Sequence, residues 1–130
     1  MIAEVSWRTT DQATTVQELD ALLDSITDEV SPQTPQAVNV VCTIGDCLTI
    51  VLGATTESYL SYVSSSGNPP YFVSVGEPSA KGIFTFYVDL DHHSEALMRN
   101  VIPKAAARQA IREFVSNSTR LPSCVTWEEV

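Results

Sequence analysis

Apolar side chains recur at helical spacing in two segments of the chain. In the first segment, Thr15 and Glu18 have the three-residue spacing of a capping box, in which a hydroxyl and a carboxylate each bind an amide that the first turn leaves unpaired. The apolar face that follows consists of Val16, Leu19, Leu22, Leu23 and Ile26. Because proline disfavours helical backbone at the residue before it, this helix is predicted to end before Pro32.

The second helical segment begins around Pro103, since proline suits the first turn of a helix. Its apolar face consists of Ala107, Ala110, Ile111 and Phe114. We expect this helix to end between Asn117 and Pro122. On both helices the charged residues form a ridge that is expected to face solvent, with Asp20, Asp24 and Asp28 on the first and Lys104, Arg108 and Arg112 on the second.

Between the helices the pattern changes to the two-residue alternation of strands, predicted at about residues 37–43, 47–53, 58–64, 70–76 and 83–90. Turns containing Gly or Pro separate these strands, so neighbours in sequence are expected to pair antiparallel as a meander. Residues 1–7 and the tail from residue 124 also alternate, and each predicts one further strand. The polar residues 8–14 and 89–100 are predicted to be irregular.

These elements predict the α+β class, with an antiparallel meander of about five to seven strands and two α-helices packed on one face. The 130 residues are about the length of one domain, which is enough to close a hydrophobic core without disulfides or metal. We therefore expect a single domain spanning residues 1–130.

The chain is acidic, with a net charge of −9 at pH 7. Residues 1–98 carry 13 carboxylates and two cations, whereas residues 99–130 carry five cations and three carboxylates. A negative field repels nucleic acid and anionic membranes, so any macromolecular partner is expected to be basic. Neither a secretory signal nor an apolar run of membrane-spanning length is visible, which predicts a cytoplasmic protein.

Sequence signatures of catalysis are missing: the chain has no phosphate-binding glycine loop, nucleophile elbow or zinc-protease motif. One segment is dense in ionisable side chains, namely Asp89, Asp91, His92, His93 and Glu95. It can be interpreted as a metal site or general base, or as a solvated loop that contacts a partner. We prefer the second interpretation, because adjacent residues of a strand point to opposite sides and neighbouring histidines rarely share a metal.

The three cysteines, Cys42, Cys47 and Cys124, are an odd number and so a poor disulfide framework. Free thiols in a reducing cytosol are expected. Cys42 and Cys47 flank the turn at Gly45 and are placed to face each other, either as buried hairpin residues or as a redox or metal pair. We prefer the first alternative and expect no enzyme activity, metal or cofactor.

Several segments stand out in order along the chain: ELDALLDSI, LTIVLG, SYLSYVSSSGNPPYFVSVGE, DHHSE, IPKAAARQAIREFV and LPSCVTWEEV. Together they resemble the first-numbered immunity-protein family of bacterial polymorphic toxin systems, especially its actinobacterial members. The most specific pieces are the SYVSSSGNPPYFVSVG hairpin and a closing motif of Pro122, Val125, Trp127 and Glu129, of which we interpret the first three residues as structural.

The resemblance implies a protein that binds and neutralises a toxin encoded beside it, often a nucleic-acid deaminase. A zinc deaminase acting on nucleic acid needs a basic groove, which an acidic protein can occupy in a one-to-one complex as a monomer. Charge and aromatic content, rather than a family motif, select the partner-binding candidates. They are Asp89, Asp91, His92, His93 and Glu95, followed by Glu57, Tyr59, Tyr62, Tyr71 and Glu77, of which Tyr62 and Tyr71 are alternatively core residues.

Two other functions remain open at this point. One is an adaptor or regulatory domain with a different protein partner, which the neighbouring genes would distinguish. The other is a small-molecule enzyme or ligand-binding domain, with its pocket between the sheet and the helices. This last function predicts a deep cavity containing Asp89 or His92, whereas a filled core beneath the helices counts against it.

Overall fold

The computed structural model describes residues 1–117 and 121–130, and within these ranges it has ten strands and two α-helices. The strands are β1 (Ala3–Ser6), β2 (Thr10–Ala13), β3 (Gln36–Cys42), β4 (Cys47–Leu52), β5 (Glu57–Val63), β6 (Phe72–Val75), β7 (Ile83–Val88), β8 (His92–Leu97), β9 (Val101–Pro103) and β10 (Thr126–Glu129). The helices are α1 (Val16–Glu29) and α2 (Lys104–Ser116). The segment predicted to end the second helix includes residues 118–120, which lie outside the described residues.

The start of α1 confirms the predicted Thr15 cap, whereas the Glu18 carboxylate binds the amide one residue before the one that a standard capping box uses. The Thr15 hydroxyl accepts a hydrogen bond from the Glu18 amide at 3.1 Å, and the Glu18 carboxylate accepts one from the Thr14 amide at 2.9 Å. The bonds from Thr14 hold the pKa of Glu18 below its usual value. The helix ends at Glu29, before Pro32 as predicted. Local side-chain chemistry thus fixes the start of this helix.

The centre of the sheet is the predicted antiparallel meander β3–β4–β5–β6. The full order is β10-β6-β5-β4-β3-β1-β2, so the strands predicted at both ends of the chain join its two sides. Val5 pairs with Val40 in the β1–β3 register, and Trp127 pairs with Ser74 in the β10–β6 register. The two ends of the chain are therefore built into the same sheet.

The predicted number of strands, about five to seven, is wrong, because β2, β8 and β9 lie in or beside stretches that were expected to be irregular. Most of β2 is exposed, and among the β8 residues Ala96 alone is buried. Polar edge strands of this kind lack the apolar alternation that marks a half-buried strand. The three-residue β9 pairs with the first half of β5, next to the start of α2.

Both helices pack on one face of the sheet, as predicted, and enclose the main core. From α1 this core includes Leu19 and Leu23, and from α2 it includes Ile111 and Phe114, all fully buried. Even-numbered residues of β3 and β4, such as Val40 and Leu48, supply the sheet side. Burial of each such side chain contributes about 1.5–3 kcal/mol.

The opposite face of the sheet, here called the outer face, is partly covered by the β7–β8 hairpin. A second, smaller core forms there from Val51, Phe84, Phe86, Ala96 and Val101. Tyr59 packs against it, with its ring centroid 5.6 Å from that of Phe86. The hairpin joins the main sheet through a single parallel pairing of Tyr87 with Gln36. It therefore stands over the sheet as a separate flap rather than extending it.

The two charged ridges were expected to face solvent, but they meet each other between the helices. Arg108 lies 2.9 Å from the Asp24 carboxylate and 3.3 Å from that of Asp20, and Arg112 lies 3.0 Å from Asp20. Because α1 and α2 lie on the same face of the sheet, their polar sides become neighbours. Asp24, Asp28 and Lys104 are exposed as the pattern predicted, whereas Asp20, Arg108 and Arg112 are half-buried.

The three cysteines are free, as expected, but Cys42 and Cys47 do not face each other. Cys47 pairs with Val41 across the hairpin, which places the Cys42 side chain in the main core and that of Cys47 on the outer face beside Thr49. Successive strand residues point to opposite faces, so a one-residue offset separates the two thiols. Burial raises the pKa of Cys47.

Candidate partner-binding surface

The turn between β7 and β8 carries the densest group of ionisable residues. Val88 pairs with His92 across the hairpin and leaves residues 89–91 as its loop. Asp89 and Leu90 have φ angles of 51° and 75°, in the left-handed region that residues other than glycine seldom adopt. Such a backbone persists only where surrounding contacts hold it.

Gln36 supplies those contacts from a position that is 5% exposed. Its side-chain Nε2 donates a hydrogen bond to the Leu90 carbonyl at 3.3 Å, and its Oε1 accepts one from the Leu90 amide at 3.2 Å. The Trp7 indole also donates to Oε1 at 3.3 Å, and Nε2 donates to the Thr34 carbonyl at 3.1 Å. Gln36 therefore positions the turn, a role for which its place in the sequence gives no signal.

The charged side chains of the hairpin are exposed and paired only loosely. Asp91 lies 3.8 Å from His92, and Glu95 lies 3.9 Å from His93. The His93 ring meets the Tyr87 ring edge-on, with centroids 5.9 Å apart. Within residues 1–117 and 121–130, no group of three or more His, Cys, Asp or Glu side chains is arranged to hold a metal ion.

A cleft of about 450 Å³ lies between the hairpin and the outer face of the sheet. The sheet side of the cleft is formed by Ser6, Trp7, Ala37, Asn39, Thr49, Tyr59 and Ser61, and the hairpin side by Phe86, Val88, Asp89, Ser94 and Glu95. Three of the candidates selected from the sequence, Tyr59, Asp89 and Glu95, therefore meet in one concavity. Trp7 and Phe86 were not selected, because only the packing of the hairpin on the sheet places their rings there.

The cleft is negatively charged as well as aromatic. No Lys or Arg belongs to its lining among the described residues. Arg8 follows the lining residue Trp7 in the sequence. Its guanidinium carbon lies 4.6 Å from the centroid of the Trp7 ring, and its Nη1 lies 3.5 Å from the Glu29 carboxylate of α1. Asp89 and Glu95 are therefore the charged residues of the described lining.

Tyr62 lies on the opposite side of the sheet, at the edge of the main core. Its hydroxyl donates to the Asp46 carboxylate at 2.9 Å, and its ring meets Phe114 edge-on with centroids 6.5 Å apart. Burial, followed by the hydrogen bond and charge of Asp46, raises the pKa of Tyr62 to about 12. Its contacts are those of a residue at the core boundary.

The remaining candidates are dispersed over the surface. The Tyr71 hydroxyl donates to the Gly67 carbonyl at 2.7 Å. Glu77 accepts hydrogen bonds from the Ser79 hydroxyl and amide, which lower its pKa. Glu57 begins β5 and lines a cavity on the helical side. None of these three residues lines the cleft.

The helical-side cavity has a volume of about 490 Å³ and lies where the ends of β4 and β5 meet both helices. It contains neither Asp89 nor His92, whose presence would have favoured the small-molecule hypothesis. Its carboxylates Asp20 and Asp24 are already paired with Arg108. The core beneath the helices is filled by fully buried side chains, so this geometry counts against a deep ligand pocket there.

The closing residues of the chain form a compact corner. The Trp127 indole donates to the Pro122 carbonyl at 2.8 Å, and Pro122 is fully buried. Val125 and Trp127 pack against the main core. These contacts anchor β10 at the edge of the sheet.

Residues 8–129 match the protein family described as immunity protein Imm1. The match covers nearly the whole chain, from Arg8, just after β1, to Glu129 at the end of β10. The chain belongs to the Imm1 family. No curated protein matches it. The family confirms the resemblance seen in the ordered segments, although it says nothing about the chemistry of the toxin.

As an Imm1 protein, the chain is an immunity protein that acts against a toxin by binding it. This function favours a binding surface over a catalytic one. In the part of the chain that the structure describes, no helix is long and apolar enough to cross a membrane. The cleft and the hairpin beside it are where this Imm1 protein combines exposed charge, aromatic surface and concave shape.

Proposed function

We propose that this immunity protein neutralises a nucleic-acid deaminase toxin by covering its basic substrate groove with the β7–β8 hairpin and the adjoining cleft. The observation that carries the proposal is the placement of Asp89 and Glu95 at an aromatic-lined cleft in an Imm1 protein of net charge −9. Opposite charge speeds the encounter of two proteins and disfavours wrong partners.

The proposal that the toxin is a deaminase rests on the family resemblance and on what a deaminase physically requires of its substrate groove. A deaminase reaches its target base only in single-stranded or flipped-out form, and it uses a zinc-activated water in an open pocket. The groove leading to that pocket must attract a polyanion, and so it attracts an acidic protein as well. An immunity protein placed there excludes the substrate without any chemistry of its own.

The complex is proposed to contain one copy of each protein and to form in the cytoplasm, with no metal or cofactor contributed by the immunity protein. A stable interface buries about 1,600 Å² in total, with most of the free energy at a few central residues. The exposed hairpin, with Leu90 at its tip 45% exposed, offers a protruding element of the kind that inserts into a groove.

The decisive experiment is co-purification with the polypeptide encoded by the adjacent gene, tagged and made catalytically inactive. A stable one-to-one complex that survives moderate salt, together with inhibition of deamination by the active toxin, is the expected result. A well-folded neighbour that forms no complex would contradict the immunity function. A complex with a toxin of another activity would retain that function and overturn the deaminase assignment.

A further inference from the structure

Strand β8 has one paired edge and one free edge. Among the described residues it pairs with β7 alone, and it is six residues long, whereas β2 and β10, the strands at the two ends of the sheet, have four residues each. Its sequence contains no proline or lysine, the residues that commonly protect an exposed edge from further pairing. The hairpin therefore presents an unprotected edge to another strand.

Two hydrogen bonds of the hairpin show which β8 residues direct their backbone groups to this edge. The Met98 amide donates to the Gly82 carbonyl at 3.0 Å across the hairpin, and the Tyr87 amide donates away from it to the Pro35 carbonyl at 2.8 Å. In an antiparallel pair, residues bonded to the partner strand alternate with residues whose backbone groups point away from it. By this alternation and the register of the hairpin, three β8 residues direct their amide and carbonyl groups to the free edge: His93, Glu95 and Leu97.

The side chains of the same three residues lie on the hairpin face that is turned away from the sheet, here called the outward face. Ala96 is buried in the small core below the hairpin, so its neighbours Glu95 and Leu97 point the opposite way. Leu97 and its cross-strand neighbour Ile83 are each 55% exposed, and the Glu95 carboxylate lies 3.9 Å from His93. The outward face thus carries an apolar pair at one end and a carboxylate near its centre.

We propose that this edge receives an extended segment of the toxin, which adds to β8 as an antiparallel strand. The inference rests on the proposed function and specifies how the hairpin binds the toxin. In this mode of recognition the backbone hydrogen bonds supply affinity, and the alternating side chains of the added strand supply specificity. Each toxin residue paired with one of the three edge residues places its side chain on the outward face beside that of its partner.

The outward face specifies the chemistry of the added segment. The residue opposite Leu97 is expected to be apolar, because it covers the exposed side chains of Leu97 and Ile83. The residue opposite Glu95 is expected to be lysine or arginine, because within residues 1–117 and 121–130 this carboxylate has only the imidazole of His93 near it as a cationic partner. Antiparallel pairing therefore predicts a toxin segment in which an apolar residue is followed two positions later by a basic residue.

A second copy of this chain fits the edge less well. Two β8 strands paired antiparallel through all three free residues would place the Glu95 side chains of the two copies directly opposite each other. Like charges in this position destabilise a sheet, and each copy carries a net charge of −9. Charge complementarity therefore favours a basic partner strand over self-association.

Amide hydrogen exchange tests the pairing. It is measured by NMR on the 15N-labelled immunity protein, free and bound to the unlabelled, inactive polypeptide of the adjacent gene. Exchange at His93, Glu95 and Leu97 should slow at least about tenfold on binding. The amides of Ser94 and Ala96 already bond to β7 and should change little. A complex that leaves exchange at the three edge residues unchanged would overturn the proposal, while the immunity function would stand.

Proline variants test the backbone bonds separately from the charge. Glu95→Pro removes an amide that faces the free edge and no bond within the hairpin, which is where strands tolerate proline. It should raise the dissociation constant for the toxin at least about tenfold, whereas Glu95→Gln, which removes the charge alone, should raise it about threefold. Equal effects of the two variants would mean that only the charge of Glu95 contributes, and would overturn the added strand.

Glu129→Pro is the matched control on another free edge. The Val130 amide donates to the Tyr71 carbonyl across the β10–β6 pair, so the Glu129 amide faces away from β6. This variant loses the same charge and an equally placed amide, and it should leave the dissociation constant unchanged. Unshifted amide signals of Phe86 and Ala96 show that the Glu95→Pro hairpin is folded; if it is not, the exchange pattern of the unaltered complex decides.

The outcomes also separate this inference from the proposed function. If no toxin complex forms, both are wrong. If the three edge amides are protected by a toxin that is not a deaminase, the added strand stands and the deaminase assignment fails. If the free protein dimerises as its concentration rises, with the same three amides protected, the edge serves a second copy and the proposal is overturned.

Discussion

The side chain of Gln36 bonds both backbone groups of Leu90, accepting from its amide at 3.2 Å and donating to its carbonyl at 3.3 Å. The two residues are 54 positions apart in the sequence. The side-chain amide of Gln36 thus bonds Leu90 as the peptide group of a neighbouring strand would. These two bonds connect the hairpin loop to the start of β3. The left-handed backbone at Asp89 and Leu90 is therefore stabilised from the sheet, in agreement with the single parallel pairing of the hairpin to β3.

Replacing Gln36 by leucine should lower the free energy of unfolding by about 1–3 kcal/mol, because the partly buried indole of Trp7 and the Leu90 backbone lose their partner. Amide hydrogen exchange at Leu90 should accelerate more than at core amides such as Leu48. Gln12→Leu, on the exposed strand β2, is the matched control and should change neither measurement. Unchanged exchange at Leu90 would show that the turn is held by other contacts.

A second prediction concerns the close approach of two backbone segments at Gly76. The Gly76 amide donates to the Arg99 carbonyl at 2.8 Å, and an added Cβ would collide with the Val101 carbonyl. Gly76→Ala should cost about 2–3 kcal/mol of stability in chemical denaturation. Gly67→Ala, which has a left-handed φ of 75° but open space, should cost only about 1 kcal/mol. Equal costs at the two positions would mean that the backbone at Gly76 relaxes freely.

Local signals in the sequence predicted the main part of the fold. The capping box and helical spacing located α1, and alternation located the meander from β3 to β6. Strand β8 was missed, because its inward-facing residue Ala96 is buried only by the hairpin's packing on the sheet. The charged ridges were wrongly predicted to face only solvent for a related reason. Helical spacing shows which residues share a face of the helix, but not which other element that face contacts.

The contact between the ridges predicts unequal roles for Asp20 and Asp24. The Asp20 carboxylate is 28% exposed and binds both Arg108 and Arg112, whereas that of Asp24 is 68% exposed and binds Arg108 alone. Asp20→Ala should therefore lower the free energy of unfolding by about 2 kcal/mol. Asp24→Ala should lower it by less than about 1 kcal/mol, as is usual for exposed ion pairs.

Both substitutions remove one carboxylate from the interior of α1, so each serves as the helix-propensity control for the other. The difference should shrink in an Arg108→Met, Arg112→Met background, where neither carboxylate has its partner. Equal losses for Asp20 and Asp24 in the unaltered protein would show that the ion pairs do not distinguish the two positions. Thermal unfolding at low and high salt measures the stability lost by each substitution in the unaltered protein and in the double-methionine background.

The partial burial of Tyr62 and its hydrogen bond to Asp46 predict a specific response of stability to alkaline pH. The pKa of Tyr62 is about 12 in the folded protein against an ordinary value of 10, so folding favours the protonated hydroxyl. The associated stability is present in full below pH 10 and is lost as the pH rises from 10 to about 12. Tyr62→Phe should reduce the fall in unfolding free energy across this interval. The variant should also lose one of the tyrosines whose absorbance titrates late, the other being Tyr59, whose pKa is likewise raised by burial. A Tyr71→Phe control should leave the interval unchanged, whereas an equal fall in the Tyr62→Phe variant would contradict the assignment.

The candidate surface was predictable only in part. Negative charge and aromatic content selected Asp89, Glu95 and Tyr59, which the fold places around one cleft. The same criteria also selected Tyr62, whose hydroxyl is bonded to Asp46 on the other side of the sheet. Composition identifies residues suited to binding, but the cleft depends on tertiary packing, and Phe86 enters it only because the hairpin folds over the sheet.

The last prediction tests the charge of the hairpin in the toxin complex itself. Reversing Asp89, Asp91 and Glu95 to lysine should slow association with the inactive toxin by about tenfold or more at low ionic strength, because steering by opposite charge is lost. The effect should decline as salt screens the field. Reversing three exposed carboxylates outside the cleft, Asp11, Asp28 and Glu129, changes the net charge equally and should slow association less. Stopped-flow measurement over a range of salt concentrations distinguishes the two variants. If they associate equally slowly, net charge alone attracts the toxin, and if the hairpin variant associates and protects as well as the unaltered protein, the interface lies on another face.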